Sequence, residues 1–283
     1  MNPNLQKQTV LLVGHGSREA SGNQEILAFA DAWRQRQPQH HVEVCFIEFA
    51  DVLLDDGLDT AAQRGGQVVV VPLILNAAGH VKMEIPEHIE HARLRHPAVE
   101  FIYCRHLSAC DEILTAMKRN LSKAMHALDV PDPRNTGVIV LGRGSSDRVA
   151  NGEVAKIARW LYEETDHDLV DIAFTGITHP RLESVVQRQI KQEMRQIVVL
   201  PFYLFTGTLI ERIRRQVERL QSQYPQVNFT LGHYLGFENE IYDLLEQRIA
   251  EATTNTQPMM MECDGCKYRE FAADHGHGHH HPA

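Results

Sequence analysis

The feature that most constrains how this chain can fold is a duplication within it. Residues 10–23 read VLLVGHGSREASGN and residues 138–151 read VIVLGRGSSDRVAN, so Gly142, Gly144, Ser145 and Asn151 follow Gly14, Gly16, Ser17 and Asn23 at a constant offset of 128. A buried-looking run also recurs: Pro201 follows Pro72 at an offset of 129, and Gly207 follows Gly79 at 128. Internal duplication of a βα unit is the simplest source of this self-similarity. Two copies of about 120 to 130 residues fit the usual size of a domain.

Within one copy, an apolar run ends in Gly-His-Gly-Ser and a polar segment then leads into helix-like sequence. The pattern is strand, tight loop, helix, which puts His15 at the carboxyl end of a strand. Ligands of open α/β sheets bind at that edge, beside the N–H groups of the following helix. Apolar spacing predicts a helix over 24–36, a strand over 42–49, a helix over 53–64 and a strand over 67–75. The last of these contains VVVVPLIL, as in a strand buried on both faces of a parallel sheet. A helix over 82–95, a strand over 99–104 and a helix over 108–128 complete the copy, and 130–135, with two prolines, is the best linker. The expected fold is α/β: a lobe at 1–130, a duplicated lobe at 131–252, each a parallel sheet flanked by helices, and a tail at 253–283.

His80 follows the second buried strand beside Gly79, repeating the placement of His15. Glu48 sits among apolar residues in Phe46-Ile47-Glu48-Phe49, and strand alternation alone would turn it toward water. The second copy decides otherwise. At the same offset His15 becomes Arg143, Glu48 becomes Gly176 and His80 becomes Thr208, while the glycines and prolines persist. A merely solvated carboxylate has no reason to be lost together with two histidines. Two imidazoles and a carboxylate suit a divalent first-row metal such as Co²⁺, Fe²⁺, Ni²⁺ or Zn²⁺, and imidazole equally serves acid–base work near neutral pH. His88 and His91 of the 82–95 helix, and His96 just after it, read as solvated side chains.

Composition removes other classes. The net charge of -9, from 37 acidic and 28 basic residues, argues against a nucleic-acid partner. No run reaches the roughly 18 apolar residues of a membrane span, and MNPNLQKQ lacks the apolar core of a secretory signal, so a cytoplasmic location is expected. Cys45, Cys104 and Cys110 are scattered through core-like sequence and imply no disulfide framework.

The Gly-His-Gly-Ser loop, the Glu48 strand, the Pro-Leu-Ile-Leu segment leading to Gly79-His80 and the duplication together resemble the class II chelatases of the CbiX and SirB type, which act on sirohydrochlorin. The resemblance runs from about residue 8 to 250. It implies two flavodoxin-like lobes facing a central cleft, with His15 and His80 binding metal and handling protons, Glu48 assisting, and the tetrapyrrole docking between the lobes. A polyanionic macrocycle needs local cations. Arg143 is the first candidate, followed by Arg148, Arg212 and Lys82, with Ser17 of the glycine loop also among the expected substrate contacts; Arg214 and Arg215 read equally as an exposed helix face.

The tail carries Met261-Glu262-Cys263-Asp264-Gly265-Cys266 and then His275, His277, His279, His280 and His281. Two thiolates at this spacing can clasp a metal or part of a cluster. The tail resembles that of the long CbiX-type cobaltochelatases, where the pattern is associated with an iron–sulfur centre. Two cysteines are too few for a four-cysteine cluster in one chain, so a second chain or other ligands would be needed. The histidine tract is expected to store or deliver metal. The expected activity is insertion of Co²⁺ into sirohydrochlorin on the route to cobalamin, by a monomer or homodimer. A ferrochelatase making sirohaem and a metallochaperone are the alternatives.

Overall fold

The computed structural model describes residues 8–254. The cysteine and histidine positions of the tail, Cys263, Cys266 and His275 through His281, lie outside them.

Two four-stranded parallel sheets are built by the same chain path. The first holds β1 (Gln8–Gly14), β2 (His40–Phe46), β3 (Gln67–Pro72) and β4 (Glu100–Tyr103) in the order β2-β1-β3-β4. The second holds β5 (Thr136–Gly142), β6 (Val170–Phe174), β7 (Gln196–Pro201) and β8 (Asn228–Leu231) in the order β6-β5-β7-β8. Every pairing is parallel and in matching register: Val13 pairs with Cys45 and Pro72, as Leu141 pairs with Ala173 and Pro201. Val68 to Val71 of β3 and Ile197 to Leu200 of β7 are fully buried, as expected of central strands covered on both faces. Each such side chain contributes about 1.5–3 kcal/mol of burial free energy.

The helices are α1 (Ala20–Arg36), α2 (Leu54–Ala62), α3 (Ile85–Arg95), α4 (Asp111–His126), α5 (Arg148–Glu164), α6 (Leu182–Lys191), α7 (Thr208–Gln223) and α8 (Asn239–Thr254). In the first core, Leu54, Leu58 and Ala61 of α2 and Ile85 and Ile89 of α3 close over Leu11, Val13, Val68 and Val70. In the second, Leu182, Val185 and Val186 of α6 and Ile210, Ile213 and Val217 of α7 close over Ile139, Leu141, Ile197 and Val199. Among the described residues, no helix is long and apolar enough to cross a membrane.

Halves of the sequence and compact units divide differently. One unit runs through Leu107 and takes up the chain again at Leu244; the other spans Ser108–Asp243. Helix α4, which follows the first sheet in sequence, packs on β7, β8 and α5 of the second unit. Its Arg119 and Lys123 pair there with Glu238 and Glu240. The end of α8 belongs to the first unit. There Arg248, 3% exposed, donates through Nε to the His106 carbonyl at 3.3 Å and through Nη2 to the Leu107 carbonyl at 3.0 Å.

Candidate metal centre

Three neighbouring strands of the first sheet, β2, β1 and β3, end at one edge. His15 follows β1, Glu48 lies two residues beyond β2, and His80 comes after the β3 loop. The order of strands therefore gathers three residues that are 33 and 32 positions apart in the chain. One ligand atom from each of His15, Glu48 and His80 lies within 4.8 Å of the others, and among the described residues these form the group able to hold a metal ion.

Glu48 is past the end of its strand, where a strand over 42–49 was expected; regular pairing stops at Phe46. Its backbone is nonetheless tied to the first loop, because the Ile47 N–H donates to the Gly14 carbonyl at 3.0 Å and the Glu48 N–H to the His15 carbonyl at 3.1 Å. Gly16 makes this possible. Its φ is +91°, and a Cβ there would lie 1.7 Å from the Glu48 carbonyl oxygen, so only glycine allows the two loops to touch.

His15 Nδ1 lies 3.2 Å from the Gly16 carbonyl and 3.5 Å from Glu48 Oε1. A proton donated to that carbonyl sits on Nδ1 and makes Nε2 the lone-pair nitrogen. The His15 and His80 rings meet edge to face, with centroids 4.8 Å apart and planes at 82°. His80 Nδ1 lies 2.5 Å from Glu84 Oε2, which fixes its tautomer in the same sense. Glu84 is the residue that sequence reasoning missed. It reaches His80 through a single π turn, His80–Glu84, closed by the Ile85 N–H donating to the His80 carbonyl, before α3 begins at Ile85. Single π turns concentrate at functional sites. The counterpart α7 begins at Thr208 as ordinary α-helix.

His15, Glu48, His80 and Glu84 are all part-exposed, between 29% and 40%, so the group is open to an ion and to a larger ligand. A tetrahedral ion with 2.0–2.1 Å bonds sets its ligands roughly 3.4 Å apart. With all three ligand atoms within 4.8 Å of one another, small side-chain movements close the tripod to that spacing.

The corresponding edge of the second unit is cationic. Arg143, Arg148 and Arg212 are exposed there. Arg212 is at the offset of Glu84, and its Nη2 donates to the Thr175 carbonyl at 3.2 Å. The Thr175 hydroxyl bonds the Tyr203 hydroxyl at 2.8 Å. Burial pushes the Tyr203 phenol up to about 12, against the Thr175 hydrogen bond and the charges of Arg143 and Arg212, which pull it down.

Two expected contacts look different. Lys82 is 6% exposed, buried on the π turn. Ser17 serves its own loop: its N–H donates to Asn23 Oδ1 at 2.8 Å and its Oγ accepts from the Glu19 N–H at 3.2 Å. Ser145 repeats both bonds with Asn151 and Asp147. Arg214 pairs with Glu211 at 3.7 Å on the exposed face of α7. Burial pushes the Cys45 and Cys104 thiols up to about 12, which marks them as inert core side chains.

Comparison with known proteins gives a consistent result. The chain is 37% identical over 271 residues to the sirohydrochlorin cobaltochelatase of Priestia megaterium, covering 95% of this chain and 87% of that one. It is 30% identical over 267 residues to the sirohydrochlorin ferrochelatase of Bacillus subtilis, covering 94% and 99%. The solved structure of SirB from Bacillus subtilis with Fe³⁺ superposes with a TM-score of 0.76 at 30% identity, over 88% of this chain and 97% of that one. SirB from Bacillus subtilis subspecies spizizenii in complex with cobalt gives a TM-score of 0.73 at 28% identity, over the same shares. The family model CbiX matches twice, over residues 9–124 and 137–252, once on each copy of the duplication. The chain belongs to the CbiX family.

Proposed function

We propose that this protein is a sirohydrochlorin cobaltochelatase, a lyase that inserts Co²⁺ into a sirohydrochlorin-type tetrapyrrole on the route to cobalamin. The observation that carries the reading is the convergence of His15, Glu48 and His80 at one sheet edge, in a chain whose 37%-identical relative bears that activity. Cobalt is a substrate here. Three protein donors hold the ion and leave positions of its coordination shell for the incoming pyrrole nitrogens. As the ion passes to the macrocycle, two N–H protons must leave, and the imidazoles of His15 and His80, released from the metal, would accept them. Glu84 keeps the His80 ring oriented through the exchange.

Arg143 and Arg212 are the proposed partners of the substrate carboxylates, with Arg148 beside them. Both guanidiniums act on the Tyr203 phenol. The tail reading, with metal delivery by its histidines and a cluster at Cys263 and Cys266, rests on the sequence alone.

The alternative within the class is Fe²⁺ insertion for sirohaem, favoured by the 30%-identical ferrochelatase. The test is anaerobic insertion into sirohydrochlorin, followed by visible absorbance, with Co²⁺ and Fe²⁺ compared for the intact chain, His15→Ala and a chain ending at Ala252. Insertion by the intact and shortened chains and its loss in His15→Ala is the expected result, with faster turnover on Co²⁺. Preference for Fe²⁺ would transfer the protein to sirohaem synthesis. Tight metal binding without insertion by any form would replace the chelatase reading with that of a metallochaperone.

A further inference from the structure

Resting on the chelatase reading and extending it, we propose that Phe49 and Arg18 form a docking subsite for a flat conjugated ring with peripheral carboxylates, the chemical class of the tetrapyrrole. Phe49 directly follows Glu48 and holds a left-handed backbone, φ 54°. A bulky side chain in that region is a genuine outlier, tolerated where something else repays it. The core does not: the side chain stays 45% exposed. Asn23 Nδ2 donates to the Phe49 carbonyl at 2.7 Å while also bonding the Ser17 carbonyl of the glycine loop. Asn23 thus ties the position of the exposed ring to the loop that carries His15.

Over that ring lies a cation. The Arg18 guanidinium carbon is 4.7 Å from the Phe49 centroid, and Arg18 is itself exposed. An aromatic face and a guanidinium held together, next to Glu48 in sequence, complement the two surfaces of an anionic macrocycle: a π-face to stack on and a carboxylate to pair with.

The second unit supplies the control. Ile177 stands at the offset of Phe49, again with a left-handed φ of 57° and 62% exposed, and the Thr178 N–H donates across it to the Gly176 carbonyl at 2.6 Å. A β-branched residue is still less suited to this backbone. The strained, exposed apolar residue has therefore been kept where Glu48, its metal-binding neighbour, became Gly176. The left-handed backbone thus belongs to the loop shared by both copies, and what distinguishes the first is the aromatic ring. The position of Arg18 is Ser146 in that unit, so the paired ring and cation belong to the first edge.

The experiment is a titration of the full-length protein with metal-free sirohydrochlorin, read by absorbance, beside a Co²⁺ titration and a thermal melt, for Phe49→Gly, Phe49→Leu and Arg18→Ala. Phe49→Gly relieves the backbone strain, so its melting temperature is expected to be no lower than that of the parent. Its tetrapyrrole affinity should nevertheless fall about tenfold, with Co²⁺ affinity kept within about twofold. Phe49→Leu, which keeps apolar bulk but has no π-face, should recover little of the loss, and Arg18→Ala should weaken binding and reduce its dependence on salt. Unchanged tetrapyrrole affinity in Phe49→Gly, or a lower melting temperature as its only effect, would overturn the subsite and leave the chelatase reading standing. A parent protein that binds no tetrapyrrole would overturn both.

Discussion

Replacing Gly16 by alanine tests the geometry of the metal centre most directly, because the second unit provides a matched control. A Cβ at Gly16 would lie 1.7 Å from the Glu48 carbonyl oxygen, whereas carbon and oxygen ordinarily approach to about 3.3 Å. The two loops must part by about 1.5 Å, and the bond from the Glu48 N–H to the His15 carbonyl is what holds them together. Alanine at φ +91° adds a backbone cost of about 1–2 kcal/mol. A misplacement of 1 Å can cost about 100-fold in rate, so Co²⁺ insertion by Gly16→Ala should fall by at least ~100-fold. At Gly144, φ +87°, the added Cβ would lie 2.4 Å from the Gly176 carbonyl oxygen. Gly144→Ala should carry a similar stability cost, about 2–4 °C of melting temperature per kcal/mol, and keep its Co²⁺ affinity. The assays are Co²⁺ titration by visible absorbance, insertion kinetics and thermal melts on both variants. A Gly16→Ala protein that binds Co²⁺ like the parent would refute the claim that contact between the two loops builds the site.

Glu84→Gln should weaken Co²⁺ binding about 10- to 100-fold while leaving the melt nearly unchanged, since both partners are about two-fifths exposed; equal affinity would remove Glu84 from the centre. Arg143→Ala should weaken sirohydrochlorin binding more than Co²⁺ binding, and equal losses in the two titrations would count against a carboxylate contact. Burial alone would raise the Glu238 carboxyl, but hydrogen bonds and charges from Lys123 and Arg119 outweigh it and hold the group below the usual carboxylate range. With the folded value depressed, this contribution to stability is complete above the unfolded value near 4.5 and is lost as pH falls through the folded one. Glu238→Gln should therefore flatten the acid limb of a stability–pH curve, and an unaltered limb would show that the pair does not stabilise the fold.

Much of the fold was legible because duplication doubles every signal. Val68 to Val71 and Ile197 to Leu200 announce the same buried strand twice. The joint substitution of His15, Glu48 and His80 singled out a carboxylate that its own strand would have dismissed, and the strand order β2-β1-β3 supplies the physical reason, since their ends are neighbours. What stayed hidden depended on packing. The pattern of α4 says that one face is apolar and is silent on which sheet it covers. Glu84 reads as an ordinary solvated carboxylate four residues after His80 until a π turn brings it onto the imidazole. Its signal was nonetheless present, in the Arg212 that stands at the same offset. Ser17 was expected to contact substrate, but Ser145 makes the same bonds where there is no histidine.

The pairing of Glu84 with Arg212 changes how the second edge should be understood. Decay of an unused metal site would leave arbitrary small or polar residues, and Gly176 and Thr208 fit that description. Arg143 and Arg212 do not, for they put positive charge where the first edge has a histidine and a carboxylate. Each unit charge at 4 Å from another is worth about 1 kcal/mol in water and about 4 kcal/mol near a protein surface, and a divalent ion doubles that. Two guanidiniums would therefore repel a metal ion at the second edge and attract an anion.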